Sequence, residues 1–75
     1  MNVQFPRHAR RRMRLYKISE NVIISIFENA PLTSGKHTLI QEIPGQKLPV
    51  KIVAVVENST ITIVTAYPLK KGLPS

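Results

Sequence analysis

The spacing of hydrophobic and polar residues changes part-way along the chain. Before residue 30, apolar side chains recur at intervals of three and four, which is typical of helices that bury one face. From residue 36 onward, β-branched residues alternate with polar ones or run together, which is typical of strands. The pattern predicts two helices followed by three strands, with a further very short strand at residues 3–5.

Proline and serine mark the expected helix boundaries. Pro6 suits the first turn of a helix over residues 7–17, because its missing N–H is not needed there. Ser19 suits the N-cap of the second helix, and Glu20 favours the positive end of that helix. Pro31 is expected to end the second helix, because the residue before a proline avoids helical geometry.

The second half of the chain predicts strands over residues 36–43, 50–57 and 60–67. A two-residue turn at residues 58–59 would set these cross-strand pairs on the face that the helices cover: Val56 with Ile61, Ala54 with Ile63, Ile52 with Thr65 and Val50 with Tyr67. The opposite face is expected to carry Val53, Val55 and Val64. That face is too apolar for a simple solvated surface, so we expect either the tail of the chain or a partner to cover it.

The order of elements, (β)ααβββ, predicts an α+β fold with two helices packed on one face of a small antiparallel sheet. The 75 residues are expected to form a single domain, residues 1–75, in which residues 68–75 are a basic tail. The longest apolar run falls far short of the ~20 residues of a membrane-spanning helix, and no signal peptide is evident. We therefore expect a cytoplasmic protein that does not enter a membrane.

The distribution of charge along the chain predicts a polyanionic partner. The chain holds eleven Lys and Arg against four acids, for a net charge of +7, and no acid precedes Glu20. Six of the cations lie within residues 7–17, so the first helix is strongly basic. A cluster of this density attracts polyanions, so we expect it to bind nucleic acid, with an acidic protein partner as the alternative. A membrane surface fits less well, because the segment offers few apolar side chains to insert.

Polar residues on the first helix form two stripes. An inner stripe of His8, Arg12 and Tyr16, spaced four residues apart, is expected to be held against the sheet. The outer stripe is expected to hold phosphates loosely. With Tyr16 and the cations near it and in the tail, the predicted RNA contacts are Arg7, Arg10, Arg11, Arg14, Tyr16, Lys17, Lys70 and Lys71.

The inner stripe fits the metal-independent cleavage of RNA. Attack of a 2′-hydroxyl on the adjacent phosphate needs a proton acceptor, a donor to the leaving oxygen and positive charge on the phosphorane. An imidazole such as His8 can transfer protons near neutral pH, Arg12 can grip two phosphate oxygens, and Tyr67 can orient the strand or stack on a base. The alternative is structural: His8 as a hydrogen-bonded boundary residue and Tyr16 as a core residue with a wet tip.

Other kinds of site lack the pattern they require. Two histidines, no cysteine and scattered glutamates give no metal-ligand spacing. The three glycines form no phosphate-binding loop, and no serine lies in a nucleophile-elbow context. The sequence therefore predicts neither a metal nor a cofactor.

Two segments carry a family resemblance. Residues 5–19, with the sequence FPRHARRRMRLYKIS, resemble the HAxxRM…I-S opening of a widespread group of small prokaryotic proteins. Residues 61–72, with the sequence ITIVTAYPLKKG, resemble the strand and tail that close the same group. That group looks like a relative of the BrnT and RelE toxins, which combine a small sheet with N-terminal helices, cleave RNA and are neutralised by a co-encoded antitoxin.

The resemblance implies a RelE-like endoribonuclease, the toxin of a type II toxin–antitoxin pair. It implies His8, Arg12 and Tyr67 as catalytic residues, although many relatives have an arginine at the position of Tyr16. The implied partners are RNA, including mRNA on ribosomes, and an acidic antitoxin, for which the apolar pattern predicts Val53, Val55 and Val64 as part of the contact surface; homo-oligomerisation is left open. The alternatives are a non-catalytic RNA- or DNA-binding module and an antitoxin-binding protein without activity.

Overall fold

Two helices and four strands make up the part of the chain that the computed structural model describes, residues 2–29 and 32–69. In chain order they are β1 (Asn2–Gln4), α1 (Arg7–Leu15), α2 (Glu20–Glu28), β2 (Gly35–Gln41), β3 (Val50–Glu57) and β4 (Thr60–Pro68). The predicted α+β fold is confirmed, and the element ends differ from the prediction by one or two residues. Strand β4 includes Pro68, which the sequence placed in the tail.

The four strands form one mixed sheet, in the order β1-β4-β3-β2. Strands β2, β3 and β4 are antiparallel neighbours, whereas β1 runs parallel to β4. The prediction of a purely antiparallel sheet was therefore wrong. No turn joins β1 to β4; both helices and two further strands separate them along the chain. A crossover of this length leaves parallel pairing open.

Helix α1 ends in a Schellman motif. The N–H of Ile18 donates to the carbonyl of Met13 at 2.8 Å, and the N–H of Lys17 donates to the carbonyl of Arg14 at 3.2 Å. Lys17 takes the left-handed conformation, with φ of 58°, that this motif requires. Ile18 and Met13 are both buried, so the motif also carries the apolar contact that commonly accompanies it.

Helix α2 begins where the sequence predicts. Ser19 is the extended residue at its N-cap, although its hydroxyl makes no capping hydrogen bond. At the other end the side chain of Asn29 donates to the carbonyl of Ser25 at 3.0 Å. The helix stops at Glu28, ahead of the limit expected before Pro31, which lies outside the described residues.

The core lies between the helices and one face of the sheet. Strand β3 buries every second side chain, as a half-covered strand should. These buried residues are Val50, Ile52, Ala54 and Val56. The largest helix residues that pack with them are Met13, Ile23 and Phe27. No polar side chain is buried among the residues that the structure describes.

A β-bulge in β4 changes the predicted register. The pairs Val56–Ile61 and Ala54–Ile63 are confirmed, but the next pair joins Val53 to Thr65, so one extra residue stands in β4. The predicted pairs Ile52–Thr65 and Val50–Tyr67 were wrong; Ile52 pairs with Ala66 and Lys51 with Tyr67.

The polarity of the side chains explains the bulge. The predicted register would turn the Thr65 hydroxyl toward the helices, and a buried hydroxyl without a partner is costly. The shift of one residue instead turns Ala66 inward, where it is fully buried. Thr65 and Tyr67 then lie on the opposite side of the sheet, which we call the open face. Its residues in β3 are Lys51, Val53, Val55 and Glu57.

Neither α1 nor α2, the helices of the described residues, has the length and apolar character needed to cross a bilayer.

Candidate nucleic-acid interface

Helix α1 presents a row of arginines to solvent. Five of its nine residues are arginine and none is acidic. All five arginines are exposed, and four of them line one surface cleft: Arg7, Arg10, Arg11 and Arg14. Positions three and four apart lie on the same side of a helix, so this arginine cleft follows directly from the sequence spacing.

One ion pair involves the arginine cleft. The Nε atom of Arg10 lies 3.6 Å from the Oε2 atom of Glu20 at the start of α2. Both side chains are about half exposed, 58% and 46%, so the pair contributes little to stability. It is the one ion pair among residues 2–29 and 32–69. Most of the arginine charge is therefore available to an external anion.

His8 and Arg12 are exposed on α1, although we expected them to be held against the sheet. The stripe that α1 buries consists of Ala9 and Met13, and Tyr16 packs beside it, half-buried. A helix that lies over one strand of a sheet buries a narrow stripe, so positions 8 and 12 fall at its border. Their side chains make no hydrogen bond within the part of the chain that the structure describes.

Tyr67 lies in the other layer of the molecule. It pairs with Lys51, whose neighbours along β3, Val50 and Ile52, are both buried. Side chains alternate along a strand, so Lys51 and its partner Tyr67 are on the open face. The ring of Tyr67 is half-buried there. Helix α1 packs against β4 from the opposite side. Within the described residues, no hydrogen bond joins Tyr67 to His8 or Arg12. The structure thus brings His8 and Arg12 onto one helix but does not bring Tyr67 to them.

The three valines that the sequence predicts as a partner surface lie together on the open face. Val53 and Val55 are half-buried there, and Val64, the extra residue of the bulge, is 42% exposed. Ile40 of β2 pairs with Lys51 and is 49% exposed. Sequence reasoning missed Lys51, although simple alternation along β3 places it with Val53.

Of the three lysines predicted to contact RNA, the structure describes one. Lys17 is exposed just beyond α1. Lys70 and Lys71 lie outside the described residues. The end of α1 is tied to the loop between β2 and β3, because the side chain of Gln46 donates to the carbonyl of Tyr16 at 2.9 Å. Lys17 therefore lies at the end of the molecule where β3 begins.

Comparison of this chain with protein-family models, with curated proteins and with solved structures finds no match.

Proposed function

We propose that this protein binds RNA through the exposed side of α1. The observation that carries the proposal is the arginine cleft, which is lined by four exposed arginines and has one acid, Glu20, within ion-pairing distance of Arg10. Guanidinium groups bind phosphates through paired, charge-assisted hydrogen bonds. From Arg7 to Arg14 the cleft extends about 10 Å along the helix, so it can contact more than one phosphate of a strand.

The first test removes two charges from the cleft and compares the result with removing two elsewhere. The double variant Arg10→Gln, Arg14→Gln is compared with Lys36→Gln, Lys47→Gln, which has the same net charge. Fluorescence anisotropy with a labelled single-stranded RNA should show about tenfold weaker binding for the α1 variant only. The logarithm of the binding constant is plotted against the logarithm of the salt concentration. The magnitude of this slope should be smaller by about 1.4 in the α1 variant, because each phosphate contact on a single strand contributes about 0.7. Equal losses in both variants would leave only a diffuse charge effect.

The choice of RNA over DNA is supported by the resemblance of residues 5–19 and 61–72 to the toxin-related group, not by charge. Single-stranded RNA, single-stranded DNA and duplex DNA of one length are therefore compared at a fixed salt concentration. RNA should bind most tightly. Tighter binding of duplex DNA would contradict the proposal while leaving the role of α1 open to the charge variants above.

A second candidate function is the endoribonuclease of a type II toxin–antitoxin pair, with a RelE-like topology. His8 and Arg12 support it, because they are exposed one turn apart on the same helix as the arginine cleft. In this mechanism His8 accepts the proton of the 2′-hydroxyl as its oxygen bonds to the phosphorus, Arg12 neutralises the phosphorane, and water protonates the 5′-oxygen as its bond to phosphorus breaks. Tyr67 lies on the open face, away from α1, and has no proton transfer in this mechanism.

Cleavage is tested by incubating the protein with RNA, with and without ribosomes. Fragments that end in 2′,3′-cyclic phosphate or 3′-phosphate are expected. His8→Ala and Arg12→Ala should abolish these fragments and keep the fold, since both residues are exposed. Full activity in both variants would remove the mechanism.

The acidic antitoxin remains a proposal for the open face. It is supported by the exposure of Val64 beside Val53 and Val55, and by the net charge of +7. Hydrogen exchange of β3 and β4, measured with and without the product of the adjacent gene, should show added protection. Unchanged exchange would count against a partner at these valines.

A further inference from the structure

The bulge in β4 puts an aromatic ring and a cation side by side on the open face. Tyr67 and Lys51 are direct cross-strand partners, and such partners have Cβ atoms about 5 Å apart. Bulges commonly re-aim a side chain in this way next to functional sites. Without the extra residue, Tyr67 would point into the helix layer and Lys51 would have no aromatic neighbour.

The surroundings of this pair favour an anionic ligand. Strands β1, β2 and β4 contain no acid, and the one acid in β3 is Glu57. Glu57 lies six residues from Lys51, which is about 20 Å along a strand. The nearest strand neighbours on the open face are Ile40 and Val53, which are uncharged. Glu42 follows β2 directly, two residues beyond Ile40, and is the nearest acid in this register. No ion pair joins it to Lys51 among the described residues, so the ammonium group of Lys51 can bind an external anion.

The pair also lies at the same end of the molecule as the end of α1. Residues Val50 and Pro68 pair there, and the N–H of Leu69 donates to the carbonyl of Pro49 at 2.9 Å. The side chain of Gln46, in the loop that precedes β3, donates a hydrogen bond to the carbonyl of Tyr16. Strand β1 pairs with residues 60–62 of β4 only. Among residues 2–29 and 32–69, no strand pairs with the edge of β4 next to Tyr67, so the described residues leave a path for an extended chain from α1 to the open face.

The geometry points to a second RNA contact at Tyr67 and Lys51, which holds one unpaired nucleotide. The ring of Tyr67 stacks on the base, and Lys51 contacts the adjacent phosphate. Stacking on an aromatic side chain needs an unpaired base, so the site selects single strands over duplexes. This inference rests on the proposed binding of RNA by α1 and specifies the class of RNA.

Tyrosine fluorescence reports on the site directly, because the chain contains two tyrosines and no tryptophan. A single-stranded oligonucleotide should quench the emission of the wild type. The Tyr67→Phe variant, which keeps only Tyr16, should lose most of this quenching at saturating RNA, and the Tyr16→Phe variant, which keeps only Tyr67, should retain most of it. Inorganic polyphosphate, which offers phosphates without bases, should bind and leave the emission unchanged. Quenching that persists in Tyr67→Phe, or that polyphosphate reproduces, would overturn the site.

Affinities separate stacking from charge. Tyr67→Leu should weaken binding of single-stranded RNA about tenfold, the loss expected for one stacked base, and should change duplex RNA binding by less than about twofold. Lys51→Gln should lower the salt slope by about 0.7. Lys47→Gln, with the same charge change in the loop before β3, should leave it unchanged. Circular dichroism verifies the fold of each variant.

The outcomes distinguish this inference from the proposal on which it rests. If Tyr67→Leu binds single-stranded RNA like the wild type while the α1 double variant is weakened, the second contact fails and the role of α1 stands. If the α1 double variant binds normally, the proposed function itself fails. Equal losses on single strands and duplexes would exclude stacking. Quenching by poly-glutamate that matches the quenching by RNA would assign the site to an acidic peptide instead.

Discussion

At the scale of single residues, α1 separates stability from binding. Ala9 and Met13 are buried, and the arginines that line the cleft are exposed on the other side of the same helix. Substitutions on the two sides should therefore have different effects. Changes on the buried side alter the free energy of unfolding, and changes on the exposed side alter the affinity for polyanions.

Met13→Ala should lower the free energy of unfolding by about 2–5 kcal/mol, because it removes a fully buried side chain and leaves a cavity. Leu15 is the matched control, since it lies in the same helix and is 70% exposed. Leu15→Ala should change the free energy by about 0.5 kcal/mol or less. Urea titration followed by circular dichroism measures both. Similar losses at the two positions would mean that α1 does not pack through Met13.

Glu20→Gln should increase the affinity for RNA several-fold and change stability by less than about 1 kcal/mol. The carboxylate is half exposed, so its pair with Arg10 contributes little to folding, but its negative charge lies beside the arginine cleft. Glu28→Gln changes the net charge equally at the far end of α2. A gain in affinity as large for Glu28→Gln as for Glu20→Gln would show that only net charge matters.

At the scale of secondary-structure elements, the turn between β3 and β4 is strained. Asn58 and Ser59 both have positive φ, 49° and 65°, as the two central residues of a type I′ hairpin turn require. Asparagine tolerates this conformation, whereas serine is less suited to it. The backbone carbonyl of Ser59 also accepts a hydrogen bond from the N–H of Asn2 at 3.1 Å, so the turn supports β1 as well.

Ser59→Gly should raise the free energy of unfolding by about 0.5–1 kcal/mol. Glycine relieves the strain of positive φ, and its greater freedom in the unfolded chain offsets part of that gain. Ser59→Ala is the control, because it removes the hydroxyl and keeps the strain. Chemical denaturation of the three proteins measures the difference; stabilisation by alanine would show that the hydroxyl, not the backbone, was unfavourable.

The sequence predicts the elements well but not their register. Strand β3 is predicted to the residue because its run of β-branched residues is bounded by Pro49 on one side and by the turn at residues 58–59 on the other. Nothing in the run from Ile61 to Tyr67 marks Val64 as an extra residue, because bulges are often signalled by glycine and none is present there. The direction of β1 was also not predictable, since three residues carry no signal for parallel or antiparallel pairing.

The candidate site, too, is predicted from the sequence only in part. The exposure of the outer arginines follows from helical spacing alone, and the structure agrees with it. The positions of His8 and Arg12 depend on how α1 sits on β4, which is a tertiary contact that spacing does not determine. The neighbourhood of Tyr67 depends on the bulge. Sequence reasoning therefore found the basic helix but could not assemble the residues around it.

At the scale of the whole molecule, the charge is unbalanced. The chain carries +7, and α1 holds five of the eleven cations. Mutual repulsion of these charges disfavours the compact state at low ionic strength. A domain of 75 residues has little stability in reserve, so an anion that binds the folded state should have a large effect.

Polyphosphate should therefore raise the melting temperature in low salt. A ligand at a hundred times its dissociation constant stabilises by about 2.7 kcal/mol, which is about 10–20 °C for a domain of this size. The rise should be much smaller for the Arg10→Gln, Arg14→Gln variant and should disappear at high salt. Differential scanning fluorimetry measures it. The same rise in the double variant would place the anion elsewhere than the arginine cleft.

Strand β4, which pairs with β1 and packs against α1, follows all the other strands of the described residues in chain order. Synthesis proceeds from the N-terminus, so β1 and α1 leave the ribosome well before β4 exists. Contacts between such distant segments form slowly, because a long loop must close first. We therefore expect the basic helix of a nascent chain to remain undocked, with its buried side uncovered, until β4 has emerged.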